Sequence, residues 1–568
     1  MGGKPGRCAL IEQLLADGIT YMFGNPGTVE QGFLDALKDY PAMRYILSLQ
    51  ESVAVMMGDG YARATRKPAL VQIHSTPGLG NAIGAMYQAM RGHAPLVVIG
   101  GDAGLKYMSM QAQMFGDLVA MAEPVTKWSA MVTDPSSLLR MVRRAVKIAA
   151  TPPMGPVYLC LPADVLDMDC PETVEPSFVA PLRVAPDENA LHEMAVMLAA
   201  AARPMLFVGD GVAYSDAQVE AQLVAELLGA EVWGVDSGEV NVAYDHPLYQ
   251  GQTGHMLGFA SYPITSKGDV NLVVGTYMVP EVYPRLDDVY APNARVIHID
   301  LDPTAIARNH RVTLGAIADP KLTLGRLAQM LATVMTAAQK KTAAERGRAT
   351  GDEKAARLSQ QKQKDRAARG GSPLSAARFM EDLSAALPKS SSIFDEALTS
   401  SPELTRYLPP KATGEFFQTR GGSLGVGFPG AIGVKLAQPE RTVVGFSGDG
   451  GSMYTIQALW TAAHYNIDTK FVVCNNQSYK LLKLNIQQYW KEQSIGAHRF
   501  PNPFELTGPV VDFAALAGSM GVPGMRVERP DQIAPAIQRM LGTKSPFLID
   551  LVVPSHGPGD MDECKCGQ

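Results

Sequence analysis

The chain has 568 residues, a formal net charge of −6, 46% hydrophobic residues and 19% charged residues. This composition excludes a disordered protein, and it argues against a nucleic-acid or membrane-surface protein, since either needs a basic face. The six cysteines show no CxxC spacing, so neither a disulfide framework nor a structural zinc site is expected. The sequence shows no apolar run typical of a signal peptide or a membrane span, and a cytoplasmic location is the default expectation.

Short β-branched runs alternate with alanine-rich amphipathic stretches along the whole chain. The predicted strands are residues 44–49, 69–74, 96–100, 157–161, 205–208, 270–274, 295–299, 442–446, 470–474 and 547–551. Stretches with helical periodicity, such as 53–65 and 136–150, lie between them. This alternation predicts an α/β protein built from three doubly wound parallel-sheet domains.

Two shifts in composition predict the domain boundaries. Residues 171–186 are rich in Pro, Glu and Val, and residues 337–373 carry ten Lys and Arg against four acidic residues. We interpret the second stretch as a solvated linker rather than an anion-binding patch. The predicted domains are therefore 1–185, 186–336 and 374–555, with a linker at 337–373 and a tail at 556–568 that is either a frayed end or a lid.

The strongest chemical signal is a Gly-Asp-Gly at 448–450, followed after one further strand by Asn475-Asn476. The carboxyl ends of parallel strands bind ligands in α/β sheets, and a helix N-terminus offers N–H donors to phosphate. Asp449 and Asn476 supply hard oxygen atoms of the kind that Mg²⁺ prefers. The alternative is an ordinary turn in which Asp449 caps a helix. The pattern favours a magnesium-bound diphosphate.

This spacing of Gly-Asp-Gly and Asn-Asn resembles the signature of thiamine diphosphate (ThDP) enzymes. The resemblance extends to other segments of the chain: FGNPGT at 23–28, LQE at 49–51, GDGYAR at 58–63, HSTPGLGN at 74–81 and GGSLGVGFP at 421–429. Within that superfamily the chain resembles the group of benzoylformate decarboxylase, benzaldehyde lyase, acetolactate synthase and the 2-hydroxyacyl-CoA lyases. The first and third domains then correspond to the pyrimidine-binding and diphosphate-binding domains of the family.

The resemblance implies a set of cofactor-binding residues. Glu51 matches the family's glutamate that bonds the aminopyrimidine ring, although the residue alone could equally be a charge at a helix N-terminus. Leu424 matches the residue that bends the cofactor, and Gly422 matches the residue whose carbonyl binds its amino group. The implied metal ligands are Asp449, Asn476 and the backbone carbonyl of Ser478. The remaining implied cofactor-binding residues are Thr399, Gly448, Gly450, Gly451, Ser452 and Tyr479.

On the substrate side, His74 matches an active-site histidine of benzoylformate decarboxylase, and Thr28 stands where that enzyme has a serine that contacts the substrate carboxylate. Gln113 matches a substrate-facing glutamine of benzaldehyde lyase. Taken alone, His74 could equally be a structural residue and Gln113 an exposed polar residue of a loop. Leu481 and Leu482 are interpreted as an apolar substrate wall, and Glu492 as a proton donor or a solvated helix residue. The second histidine of such decarboxylases is missing, since the aligned segment offers Glu281 or Val282. We therefore take Glu51, His74, Gln113 and Glu492 as the candidate catalytic residues.

The favoured activity is that of a ThDP- and Mg²⁺-dependent carbon–carbon lyase acting on a 2-hydroxy ketone or a 2-hydroxyacyl-CoA. The alternatives are a benzoylformate-type decarboxylase, an acetolactate synthase-like enzyme and a non-catalytic ThDP-binding protein. Residues 208–212 of the middle domain are a weak candidate cradle for ADP or FAD. The family also implies a homodimer or homotetramer with active sites at subunit interfaces. A small-molecule substrate is expected, with no nucleic-acid or membrane partner.

Overall fold

The computed structural model describes residues 4–254, 256–371 and 374–555. They form three six-stranded sheets, as the sequence predicts. The chain divides into two compact units, of which the first comprises Met1–Ala180, Ala368–Tyr407 and Thr419–Gln568, and the second comprises Pro181–Ala367 and Leu408–Gln418. The predicted lid at 556–568 lies outside the described residues. Within the described ranges, no helix combines the length and the apolar character that crossing a membrane requires.

The first sheet is parallel throughout, with the strand order Arg44–Leu47, Tyr21–Gly24, Ala69–Ile73, Leu96–Asp102, Val157–Pro162 and Ser129–Met131. Its two central strands are buried over their whole length, as expected when helices cover both faces of a parallel sheet. The helices around it are Gly6–Ala16, Gln31–Ala36, Glu51–Thr65, Ser75–Arg91, Leu118–Ala122, Leu138–Ala150 and Ala163–Asp167. A short antiparallel ladder pairs Lys4–Pro5 with Asp169–Cys170.

The third sheet has the strand order Phe416–Gln418, Ser391–Glu396, Thr442–Gly448, Thr469–Asn475, Phe547–Val552 and Gly524–Val527. Its helices are Ala376–Ala386, Ser401–Tyr407, Gly427–Ala437, Asp449–Ser452, Ala458–His464, Lys480–Glu492, Phe513–Ser519 and Ile533–Gly542. The Gly-Asp-Gly is followed by two helices rather than one, because the chain turns at residues 453–457. Only the short first helix therefore begins at the predicted diphosphate site.

The middle sheet is also parallel, with the strand order Tyr249–Gln252, Glu231–Gly234, Pro204–Val208, Val270–Val274, Arg295–Asp300 and Leu314–Ile317. Its helices are Glu188–Ala199, Asp210–Tyr214, Gln218–Leu228, Gly258–Thr265 and Pro320–Val334. Short 3₁₀-helices occur elsewhere in the chain, at Leu37–Asp39, Leu105–Met110, Glu123–Val125, Pro135–Ser137, Leu398–Ser400, Asn502–Phe504 and Pro530–Gln532.

Most residues of the predicted solvated linker at 337–373 are exposed, but the stretch is regular, because Ala337–Ala367 is one helix of 31 residues. The Arg346 guanidinium donates hydrogen bonds to the carbonyls of Leu228 and Gly229. The Lys354 ammonium, which is buried, donates to the carbonyls of Tyr244 and His246 at 2.7 Å each. Long basic side chains therefore attach the helix to the middle domain by binding backbone oxygens, which a count of charges does not reveal.

Two helices that lead into the predicted site pack backbone to backbone. A Cβ atom added at Gly60, in the helix Glu51–Thr65, would overlap the carbonyl of Gly430. A Cβ atom at Gly433, in the helix Gly427–Ala437, would overlap the carbonyl of Met57. Because both positions lack side chains, the helices approach closely, and this contact joins the first and third sheets within the first unit.

We expect Gly433→Ala to lower the free energy of unfolding by about 1–3 kcal/mol or more, since the methyl group must displace the backbone of the facing helix. Denaturant unfolding of the cofactor-free protein measures the effect. Gly518→Ala is the matched control, because that helical glycine has no atom within 4 Å of an added Cβ, and the change should be neutral or slightly stabilising. Equal midpoints for both variants would show that the helix contact tolerates a side chain.

Candidate active site

Glu51 lies buried at the start of a helix, but it does not cap that helix. The cap is supplied by Gln50, whose side-chain oxygen accepts a hydrogen bond from the Ser52 N–H at 2.6 Å. The two carboxylate oxygens of Glu51 accept hydrogen bonds from the side-chain amides of Asn25 at 3.1 Å and Asn81 at 3.0 Å. The geometry therefore favours a positioned functional acid over a capping charge.

Neither amide partner of Glu51 was identified as a site residue from the sequence. Asn25 directly follows a strand of the first sheet, and Asn81 lies on the next helix along the chain from Glu51. Both fall inside segments that resemble the family, so a signal was present. The structure adds the fact that they meet at one carboxylate.

His74 is paired with a buried carboxylate that the sequence reading missed. Its Nδ1 lies 3.0 Å from Glu30 Oε2. Burial raises the pKa of the Glu30 carboxyl, while the neighbouring His74 acts in the opposite direction. The ring packs so closely on Gly27 that any side chain there would overlap it. Because Nδ1 faces Glu30, Nε2 is the ring nitrogen left to exchange a proton with a substrate.

A cleft lined by Ser75, the residue that follows His74, also contains Gln113. The hydroxyl of Thr76 donates to the carbonyl of Met114 at 2.7 Å, which attaches the Gln113 loop to the His74 segment. Asp102 is buried in the wall, where it accepts a hydrogen bond from its own loop. Thr28 is exposed and directly precedes a lining residue. The lining consists of Val29, Ser75, Asp102, Ala103, Gly104, Tyr107, Met108, Ala112, Gln113, Met114 and Phe115.

The predicted metal ligands lie together at the carboxyl ends of two neighbouring strands. The backbone N–H of Ser478 donates both to Asp449 Oδ2 at 3.2 Å and to Asn476 Oδ1 at 3.0 Å. All three residues are buried, and burial raises the pKa of the Asp449 carboxyl to about 6. One carboxylate and one amide oxygen that converge in a buried pocket fit a magnesium ion, whose positive charge would stabilise the ionised Asp449.

No cluster of three or more His, Cys, Asp or Glu residues with metal-binding geometry occurs in the described part of the chain. The hydroxyl oxygen of Ser478 is buried without a hydrogen-bond partner in the structure, so a polar group is still to be satisfied there. A Cβ atom added at Gly448 would have no protein atom within 4 Å, so the space beside this residue has room for a diphosphate.

The other predicted cofactor residues surround this point. Gly450 lies against the ring of Tyr479, which leaves no room for a side chain there. The hydroxyl of Ser452 donates to the Gly448 carbonyl at 2.7 Å, which closes the short helix. Gly451 is buried in the same helix. Thr399 lies half-buried in the 3₁₀ turn that follows the neighbouring strand.

The loop that carries Leu424 is held by a further carboxylate that the sequence reading missed. Gly422 has a positive φ of 77°, and Leu424 is half-buried in the same loop. The N–H groups of Gly425 and Gly427 both donate to the side chain of Glu396. Glu396 lies in no recognisable sequence motif, so nothing in the local sequence marks it as a site residue. Only the folded sheet brings it to the loop.

The helix Lys480–Glu492 carries the predicted apolar wall at its start. Leu481 is half-buried and Leu482 is partly exposed, next to the metal-ligand segment. Glu492 is the last residue of this helix, about 18 Å from its first residue at 1.5 Å per residue. It is exposed and accepts a hydrogen bond from Gln488 at 2.8 Å. Among the described residues it meets no other candidate site residue, so its catalytic role remains a prediction.

In the middle domain, Glu281 is buried and Val282 is exposed. The Ser261 hydroxyl donates to Glu281, whose second carboxylate oxygen has no partner. These side chains line a small cleft of the second unit. The position aligned with the second decarboxylase histidine therefore holds either a buried acid or an exposed valine.

The middle-domain Gly-Asp-Gly at 209–211 does not fit the nucleotide that the sequence suggested. The N–H of Gly211 donates to the Gly275 carbonyl at 2.9 Å, and the N–H of Ala213 donates to the Asn241 side chain at 3.1 Å. A Cβ atom at Gly211 would lie 2.5 Å from the Cα of Gly275, so another loop fills the cradle. The donors that would bind the phosphates of ADP or FAD are already satisfied within the protein.

Three family models match this chain in the order of its three sheets. They are described as thiamine pyrophosphate enzyme, N-terminal TPP binding domain, at residues 5–121, central domain at 191–327, and C-terminal TPP binding domain at 399–551. The chain belongs to the thiamine pyrophosphate enzyme family. Thiamine pyrophosphate is the same compound as ThDP, so the resemblance inferred from the sequence is confirmed. The protein is a ThDP-dependent enzyme of carbon–carbon bond cleavage or formation.

Relatives of this ThDP enzyme have more than one activity. Benzoylformate decarboxylase of Pseudomonas aeruginosa is 28% identical over 96% of this chain and 98% of its own length. A probable acetolactate synthase large subunit of Methanocaldococcus jannaschii is also 28% identical, over 96% of this chain and 92% of its own. The solved ThDP-dependent 4-hydroxybenzoylformate decarboxylase of Rhodococcus jostii RHA1 superposes with a TM-score of 0.81 at 26% identity, over 97% of this chain and 99% of its own.

Proposed function

We propose that this enzyme cleaves, and in reverse forms, the carbon–carbon bond beside a carbonyl in a 2-hydroxy ketone or a 2-hydroxyacyl-CoA thioester. The observation that carries the proposal is the charge of the cleft that contains Ser75 and Gln113. Its lining includes the acid Asp102, the amide Gln113 and no lysine or arginine. A cleft with a negative side chain and no positive one weakens the binding of a 2-oxo acid, whose carboxylate it repels. It does not penalise an uncharged carbonyl compound.

The proposed site residues have separate roles in cofactor binding, proton transfer and substrate orientation. Asp449, Asn476 and Ser478 would hold Mg²⁺ beside the diphosphate of ThDP, and Leu424 would support the bound cofactor. When bound, ThDP supplies the nucleophilic carbon and the electron sink. Glu51, whose side chain is positioned by two amides, would exchange a proton with the ring nitrogen of bound ThDP. His74 exchanges a proton at Nε2 with the substrate oxygen, and Gln113 orients that substrate.

A benzoylformate-type decarboxylase is the second candidate, and the His74–Glu30 pair beside Thr28 is the observation that favours it. An acetolactate synthase-like reaction is a third possibility, supported by the relatives alone. A non-catalytic ThDP-binding protein is disfavoured, because such a protein has no need for a buried acid like Glu51 held by two amides.

A substrate panel separates these functions. The purified enzyme, loaded with ThDP and Mg²⁺, is given benzoin, a 2-hydroxyacyl-CoA, benzoylformate and pyruvate, and the products are identified by mass spectrometry. We expect cleavage of benzoin or the thioester with a higher kcat/KM than release of CO₂ from either oxo acid. Faster conversion of benzoylformate to benzaldehyde would establish the decarboxylase instead.

Asp102→Asn tests the electrostatic argument within the same panel. The substitution keeps the shape and the acceptor for Gly104 but removes the charge. We expect a KM for benzoylformate that falls several-fold, with little change for uncharged benzoin. The same change for both substrates would mean that Asp102 does not discriminate by charge.

We further propose that the working unit is a homodimer, or a tetramer of two such dimers, with each active site built by two subunits. Large apolar side chains next to both halves of the site are exposed in the single chain: Leu49 at 46%, Met453 at 48% and Tyr454 at 58%. Exposed apolar groups in such positions are typical of surfaces that a partner covers. A second copy of this chain is the partner that the family implies.

Subunit mixing tests this assembly. Glu51→Gln and Asp449→Ala subunits, each inactive alone, are unfolded together, refolded and assayed. If each site takes Glu51 from one subunit and Asp449 from the other, a mixed dimer contains one unaltered site, and about a quarter of the parental activity should return. No recovery in a mixture shown to contain mixed dimers would place both residues of a site in one chain.

A further inference from the structure

Glu396 is a carboxylate buried at the end of the strand Ser391–Glu396, with 1% of its surface exposed. Among the described residues no lysine or arginine forms an ion pair with it. Its oxygens instead accept hydrogen bonds from the backbone of Gly425, from Gly427 at 2.8 Å and from the Ser447 hydroxyl at 3.0 Å. A carboxylate that is buried without a counter-ion stays ionised only when several hydrogen-bond donors face it. The three donors around Glu396 therefore require a side chain that accepts hydrogen bonds at this position.

The donors come from two separate segments of the cofactor site. Gly425 and Gly427 follow Leu424 in the loop that supports the bent cofactor. Ser447 directly precedes the Gly-Asp-Gly that begins the proposed diphosphate site. A Cβ atom added at Gly451, within that site, would lie 3.4 Å from Glu396 Oε1. One side chain therefore touches both segments and fixes the distance between them.

We propose that Glu396 is a positioning residue that fixes the Leu424 loop against the Gly-Asp-Gly segment and thereby sets the geometry in which ThDP is held. The inference rests on ThDP binding, which the family assignment supplies, and not on the choice of substrate. Failure of the proposed lyase activity would leave it intact.

The chemistry of the group agrees with this role. Burial raises the pKa of Glu396 to about 7, and the backbone donors of the loop act in the opposite direction. A glutamine of the same shape presents an NH₂ group to one set of donors. Gly425 loses its acceptor when the NH₂ group replaces Oε1, and both Gly427 and Ser447 lose theirs when it replaces Oε2, so the loop loses a partner in either orientation.

The test is the affinity of the cofactor-free Glu396→Gln protein for ThDP in the presence of Mg²⁺, measured by isothermal titration calorimetry. We expect the dissociation constant to rise by about tenfold to hundredfold, because buried N–H donors lose their partner when the cofactor is bound in its required geometry. With ThDP saturating, kcat should fall while KM for the substrate stays within about twofold, as expected for a positioning role.

Lys470→Met is the matched control for general destabilisation. Lys470 is buried in the same sheet, at the opposite end of its strand, where it donates to the carbonyls of Thr543 and Ser545. Its loss should lower the melting temperature of the cofactor-free protein and leave the ThDP dissociation constant within about twofold. An equal loss of ThDP affinity in both variants would show that Glu396 acts only through the stability of the fold, which contradicts the proposal.

Ser447→Ala provides a second measurement if the glutamine variant does not fold. It removes one donor to Glu396 and leaves the carboxylate in place, so we expect a several-fold weaker affinity for ThDP and little change in stability. An unchanged dissociation constant in Ser447→Ala, or in a folded Glu396→Gln, overturns the proposal.

Discussion

Replacing Glu51 by Gln should lower kcat by about 10²- to 10⁴-fold while the protein folds and binds ThDP normally. The amide keeps the size of the side chain and can still contact Asn25 and Asn81. It cannot carry the exchangeable proton, so the step that depends on proton transfer to the cofactor ring is lost. Steady-state kinetics with saturating ThDP and the substrate identified in the panel measures the effect.

Glu188→Gln is the matched control for this prediction. Glu188 also occupies the first position of a helix whose cap is the preceding residue, Asp187, but it is exposed and lies in the middle domain. Its loss should change kcat by less than about twofold, because a charge in the first helical turn contributes only a little stability. Near-normal turnover in Glu51→Gln would remove Glu51 from the catalytic residues.

Replacing Asp449 by Ala should abolish retention of ThDP. The single carboxylate among the proposed metal ligands disappears, and the diphosphate charge loses its counter-ion. Loss of groups that merely orient metal ligands costs 10- to 100-fold in affinity, so loss of a ligand should raise the dissociation constant by about a hundredfold or more. Gel filtration followed by measurement of bound ThDP and magnesium tests this, and dialysis of the parent enzyme against EDTA should reproduce it.

The alternative interpretation of Asp449 as a helix cap makes a different prediction. The residue before it, Gly448, occupies the cap position, and no side chain caps that helix. Asp512 is a true cap, whose carboxylate accepts the Ala515 N–H at 2.9 Å. Asp512→Ala should therefore cost about 1 kcal/mol of stability and leave ThDP bound. If Asp449→Ala behaved like Asp512→Ala and kept stoichiometric cofactor, the metal assignment would be wrong.

Local patterns were sufficient for much of the fold. The strand predicted at 270–274 is observed as Val270–Val274, because a short β-branched run in a parallel sheet is buried on both faces and needs no tertiary information. Glu51 and Asp449 could be singled out because each lies in a short motif at the end of a strand, where the chemistry of a parallel sheet concentrates.

Other features could not be read from local sequence, because their partners are distant. Glu30 and His74 are 44 residues apart, and Glu396 and Ser447 are 51 residues apart. Only the order of the strands brings each pair together. The helix Ala337–Ala367 escaped detection because the side chains it buries are Ala343 and Lys354, which give no apolar periodicity. Its stability comes from basic groups bound to carbonyl oxygens of another segment.

The glycine contact between the first and third sheets has a consequence for how such an enzyme can change during evolution. The helix Gly427–Ala437 is buried from Gly427 to Val434 and contains one charged residue, Lys435. A gene fragment that encoded the diphosphate half alone would expose this apolar surface to water and to other chains. We therefore expect recombination between relatives to exchange the two halves together, whereas loops that line the substrate cleft can diverge one residue at a time.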